Sequence, residues 1–120
     1  MLEYINRILS PVIKYQFGTW VTHPVPDPFW VGEYIEVESN EREENGYQET
    51  TFILTGTGSS WADLENDKKK ITEAIAGRTA ILPNGNGIAV YYGNAHNVPT
   101  GDAELKRVQV NLTVKEWSVN

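Results

Sequence analysis

The sequence contains no cysteine. That excludes a disulfide framework, a thiol nucleophile and any zinc site built on thiolates. Histidine is almost as scarce, with only His23 and His96. They do not form the i, i+4 helical pair of zinc enzymes, and spacing places no third ligand near either, so both read as surface residues. Cationic residues are few: 10 Lys and Arg stand against 16 Asp and Glu, a formal charge of −6. A free nucleic-acid binder needs clustered cations to displace counterions from phosphate, and this balance argues against one. No apolar run approaches the length of a membrane span. The opening residues, MLEYINRILS, lack a basic region and carry Glu3, so they do not read as a signal peptide, and a cytoplasmic protein is expected.

What remains is a chain of 120 residues, 40% hydrophobic and 22% charged, the composition of one globular domain spanning 1–120. Thr55 to Gly77 is its organising stretch. Ser60 is placed to cap a helix, with Asp63 three residues on as an acidic variant of the capping box. Trp61, Leu64, Ile71 and Ile75 share one face, interrupted only by Lys68. Gly77 is the natural left-handed stop. The apolar face of this central helix requires a sheet.

The flanking segments supply one. Leu2, Ile5, Ile8 and Leu9 recur at helical spacing ahead of Pro11, predicting a short amphipathic helix. Val12 to Val21 reads as a strand with Gly18 as a bulge. Pro24, Pro26 and Pro28 then make an extended connection of polyproline character, read as a stiff linker that positions Phe29 and Trp30, or alternatively as a docking ligand for an aromatic groove. Trp30 to Glu38 alternates, with Val31, Ile35 and Val37 on one side and Gly32, Tyr34, Glu36 and Glu38 on the other. Tyr47 to Thr57 returns as its partner, with Phe52 and Leu54 on one face and an Asn45-Gly46 turn between the two. The tip of this long hairpin is crowded with acid: Glu36, Glu38, Glu41, Glu43, Glu44 and Glu49 against Arg42. So many like charges require solvent or a water-filled space. After the helix come a Pro83 to Gly87 turn, a strand from Ile88 to Tyr92, a loop from Asn94 to Asp102, and a final strand from Leu105 to Trp117 with Val108, Val110, Leu112 and Val114 on one face. The predicted fold is α+β: a mainly antiparallel sheet with a long β-hairpin, a short N-terminal helix and a central helix packed on one face.

Chemistry-bearing motifs are missing. Gly56-Thr57-Gly58 before the helix has neither the third glycine of a dinucleotide fingerprint nor the Lys-Ser/Thr of a P-loop, and Asp63 would repel phosphate, so it reads as a turn. There is no G-x-S-x-G elbow. The acidic tip lacks the ligand spacing of a calcium loop. The expectation is a protein that is not an enzyme and has no cofactor or metal, with catalytic residues none.

Several phrases together carry a family likeness. They are the first amphipathic helix, the long hairpin, the passage F-x-L-T-G-x-G-x-S-W-x-D-L-E from Phe52 to Glu65, and the ending GIAVYYGNA followed by ELKRVQVNLTVKEW. In these the chain resembles the tail-completion, or tail-terminator, proteins of long-tailed bacteriophages and prophages. The resemblance implies a structural virion protein. It would form a homo-oligomeric, hexameric ring at the head-proximal end of the tail tube, between the tail tube protein and the head connector or neck proteins. DNA would pass through it without sequence-specific binding, and no membrane would be involved. Alternatives are a head-completion or neck adaptor protein and a small soluble module holding a ligand under the central helix. Trp20, Phe29, Trp30, Tyr91, Tyr92 and Trp117 exceed what a small core easily hides, which makes Phe29, Trp30 and Trp117 interface candidates, with core packing the rival for each. Glu36, Glu38, Glu41, Glu43 and Glu44 are candidates for a channel or ring contact, where like charge would keep a phosphate backbone from sticking.

Overall fold

A computed structural model describes residues 2–35, 47–76 and 78–118. The acidic tip, including Glu36, Glu38, Glu41, Glu43 and Glu44, and the expected helix stop at Gly77 lie outside the described residues.

Helix α1 spans Leu2–Leu9 and buries Ile5, Ile8 and Leu9, three of the four residues that its spacing selected. Helix α2 spans Trp61–Ile75. Its N-cap is Ser60, whose hydroxyl accepts the Asp63 N–H at 3.3 Å. Leu64, Ile71 and Ile75 are buried against the sheet, each worth about 1.5–3 kcal/mol of transfer free energy. Trp61, expected on the same face, opens the helix and is 40% exposed.

The strands are β1 (Tyr15–Phe17), β2 (Phe29–Ile35), β3 (Tyr47–Gly58), β4 (Arg78–Ile81), β5 (Gly87–Asn97) and β6 (Lys106–Trp117). They form one sheet in the order β1-β2-β3-β6-β5-β4, antiparallel except for β1 beside β2. Both helices pack on one face. The centre is β3 with β6, paired without interruption from Tyr47↔Trp117 to Gly58↔Lys106. Phe52, Leu54, Val108, Val110, Leu112 and Val114 point from it into the core. This is the α+β architecture that the sequence implies.

Three local expectations change. The first strand shrinks to three residues. Val12 and Ile13 stay in the turn leaving α1, their N–H groups bonded to the Leu9 carbonyl, and Gly18 at φ 84° turns the chain away after Phe17. In β2 the expected alternation holds over the described residues, and the side with Trp30 and Gly32 is the one turned to the helices. Trp30 is fully buried and Ile35 is 55% exposed, because the indole carries more apolar surface than the β-branched residues opposite it. Glycines at 32 and 56 make this possible. A Cβ on Gly32 would lie 2.7 Å from Phe52 and Tyr15 ring atoms, and one on Gly56 would lie 2.6 Å from the Trp30 ring. Gly56-Thr57-Gly58 is therefore strand, not turn. Finally, β5 continues through Asn94, Ala95, His96 and Asn97, which were expected to form a loop. A register shift at Gly93 lets it go on, and these polar residues tolerate pairing where one side of the sheet meets solvent.

Candidate interaction surfaces

Alternation along the strands sends one set of side chains to the helices and leaves the other set on a face that, among the described residues, has no helix over it. That open face carries Phe29, Val31, Glu33 and Ile35 on β2, Thr51, Ile53 and Thr55 on β3, and Arg107, Gln109, Asn111, Thr113, Lys115 and Trp117 on β6. The alternating run of β6 predicted its split, with Val108 to Val114 buried and the intervening residues half-buried.

The candidate aromatic residues fall in different places. Trp30 lies in the core, its indole N–H donating to Asp67 Oδ2 on α2 at 2.9 Å, so its polar atom is satisfied within the chain. Phe29 is half-buried on the open face, its ring 5.7 Å from Trp20. Trp117 is half-buried at the far side of the same face, laid over Gly87, where a Cβ would come within 2.6 Å of the indole nitrogen. Tyr91 is exposed there, with the Lys115 ammonium 5.9 Å from its ring centre. Tyr92 is on the other side of β5 and 38% exposed. The structure thus joins Phe29, Tyr91 and Trp117 to one face and separates Trp30 from them.

Asp27 was not singled out by the sequence. It closes the proline-rich connection onto the start of α2, accepting the Ser59 N–H at 2.9 Å and the Ser59 hydroxyl at 2.5 Å. The Ser59 hydroxyl, and then its backbone N–H, hold the Asp27 carboxyl below the usual carboxylate range. Within the connection, Gln16 accepts the Val21 N–H and donates to Thr22, while Val21 and Val25 stand exposed. The residues thus fold back on β1 instead of forming a simple spacer. Tyr15 lies under α1, its hydroxyl donating to Asn6 Oδ1 at 2.7 Å, and burial pushes its phenol well above the ordinary tyrosine range.

Among the described residues, two of the concavities flank the helices. One, of about 440 Å³, runs between α1 and β4 and is lined by Leu2, Tyr4, Leu82 and Pro83 among others, with Glu3 and Arg7 at hand. The other, of about 330 Å³, lies between the proline-rich connection and α2, near Lys14, Asp27, Asp67 and Lys70. The space beneath the central helix is filled by Leu64, Ile71, Ile75 and Trp30. Among the described residues no three His, Cys, Asp or Glu side chains gather to hold a metal, and no helix is long and apolar enough to cross a membrane. His23 and His96 are both exposed.

The chain matches no protein-family model and no curated protein. Its fold does match a solved chain from the structure described as "Virion of native gene transfer agent (GTA) particle". The TM-score is 0.64 at 8% sequence identity, over 95% of this chain and 84% of that one. At that identity the shared property is the fold.

Proposed function

We propose that this chain is a structural protein of a phage-type virion, one that caps the head-proximal end of the tail tube as a ring and joins tail to head. The observation that carries the proposal is the fold likeness to a chain of a gene transfer agent virion, which spans almost the whole domain. It agrees in kind with the resemblance carried by Phe52 to Glu65 and by the final hairpin. Among the described residues the sheet has one uncovered face and two edges without a further strand, which suits a subunit completed by its neighbours. The partners are then further copies of the chain, the tail tube protein on one side and the connector or neck proteins on the other. Its place is the virion, after assembly in the host cytoplasm. The role is non-enzymatic.

Antibody-labelled electron microscopy of particles from the producing strain tests this reading. Label at the head–tail junction that persists on isolated tails is the expected result. Label that stays with heads would move the protein to the head-completion side. A protein abundant in lysates but missing from particles would overturn the virion assignment.

The acidic segment is assigned to the channel or to the adjoining ring, because its carboxylates repel DNA phosphate. Reversal of Glu41, Glu43 and Glu44 to Lys is expected to impair assembly or DNA ejection while leaving the subunit folded. Wild-type infectivity in that triple variant would refute the assignment.

A further inference from the structure

Among the described residues the sheet ends in two strands that each have a strand partner on one side: β1 pairs with β2, and β4 with β5. In β1, the Lys14 carbonyl accepts the Trp30 N–H and the Gly18 N–H donates to the Gly32 carbonyl. Residues 14, 16 and 18 thus bond inward, and Tyr15 and Phe17 turn their peptide groups outward. Of these outward groups, the Phe17 carbonyl accepts the Thr19 N–H at 3.1 Å. In β4, the closing bond from the Leu82 N–H to the Asn86 carbonyl sets Leu82, Ala80 and Arg78 inward, so Thr79 and Ile81 present theirs outward.

Direction and facing also match. Stepping across the sheet through one parallel and four antiparallel pairings leaves β4 running the same way as β1. Tyr15 and Phe17 lie beside Trp30 and Gly32, and Ala80 lies beside Ile88, so all three point to the helix-bearing face. Phe17 is 38% exposed on that face at one edge of the sheet. The groove between α1 and β4, apolar along Leu2, Tyr4, Leu82 and Pro83, lies on that face at the other edge.

We propose that β1 of one copy adds in parallel to β4 of the next, with Phe17 entering the α1–β4 groove. The occupant is a second copy, because the two edges agree in strand direction, in face and in the two-residue period of their outward peptide groups. A two-fold pairing of β4 with β4 would leave Phe17 and the whole β1 edge uncovered. A head-to-tail contact of this kind propagates, and closure into a ring rests on the function proposed above.

Absence of native cysteine makes cross-linking the direct test. The pair Phe17→Cys with Ala80→Cys places thiols on the same face of adjacent strands, within disulfide reach. Oxidation of the concentrated full chain, and of particles that contain it, is expected to give a ladder of multimers. Phe17→Cys with Ile81→Cys puts the thiols on opposite faces and is expected to give at least tenfold less. Adding Thr79→Pro, which removes one outward N–H and spares every bond to β5, is expected to abolish the ladder. No ladder in either setting, equal ladders from both pairs, or a dimer from Ala80→Cys alone would overturn the proposal. Junction label without a ladder would refute this contact and leave the virion role standing. A ladder from a protein missing from particles would do the reverse.

Discussion

Gly56→Ala tests whether the Trp30 indole fixes the central helix to the sheet. The new Cβ would lie 2.6–2.7 Å from three atoms of the indole, closer than carbon atoms approach in folded proteins. The ring cannot retreat freely, since it is fully buried and its N–H is held by Asp67 of α2 at 2.9 Å. Overpacking of this kind costs about 1–3 kcal/mol. A forced break of the bond to the carboxylate adds about 1.5–3 kcal/mol, while the lower chain entropy of alanine returns about 0.4–1 kcal/mol. The net loss expected is about 1.5–5.5 kcal/mol. With an unfolding entropy of about 2.1 cal/mol/K per residue, a loss in the middle of that range lowers Tm by about 14 °C. Urea unfolding and calorimetry on the variant measure it. A Trp30→Phe background separates clash from propensity: the smaller ring makes room, so Gly56→Ala should cost less than half as much there. Equal costs in both backgrounds, or a Gly56→Ala protein within 0.5 kcal/mol of the parent, would show that the ring does not constrain position 56.

Gly87→Ala should lift the Trp117 indole from the open face, visible as a red shift and easier quenching of its fluorescence in a protein whose other tryptophans are replaced by Phe. Asp27 has its carboxyl held below the ordinary range, so its bonds to Ser59 add stability above the unfolded-state pKa that disappears as pH falls through the folded one. Tm profiles of the parent and Asp27→Asn should therefore differ at neutral pH and converge in acid below about pH 4. Tyr15 shows the alkaline counterpart. Its raised phenol contributes stability that is complete below the unfolded pKa of about 10 and is lost as pH rises beyond it, so Tyr15→Phe should flatten the alkaline limb while costing about 1 kcal/mol at pH 7 for the lost bond to Asn6. Ser60→Ala, which removes the cap on α2, should cost about 1 kcal/mol in urea unfolding.

Much of this fold is legible in the sequence because period and capping are local properties. Helix α2 follows from Ser60, Asp63 and the Leu64, Ile71, Ile75 stripe, and β6 from four alternating apolar residues. What escaped depends on contacts between distant residues. The inward face of β2 could not be read from Val31, Ile35 and Val37, since it is decided by whether glycines at 32 and 56 admit large rings from elsewhere. The extension of β5 past Tyr92 is set by the length of β6 beside it, which overrides the loop-like composition of Asn94 to Asn97. The candidate surface was half legible. Trp117 and Phe29 lie on the uncovered face, but hydrophobicity alone could not separate them from Trp30. Asp27 and Asp67 carried no motif; each acts through a partner 32 or 37 residues away.

The uninterrupted pairing of β3 with β6 has a mechanical meaning. Its hydrogen bonds run across the strands, so tension applied along the strand axis, from the Gly58 end of β3 to the Trp117 end of β6, loads the rungs together in shear. Tension applied across the strands would open them one at a time. The fold is therefore anisotropic: stiff along the line from the Tyr47 end of β3 to the base of the central helix, and compliant at its short lateral edges. A sheet of this kind transmits an axial pull as a rigid strut while its lateral strands can still adjust.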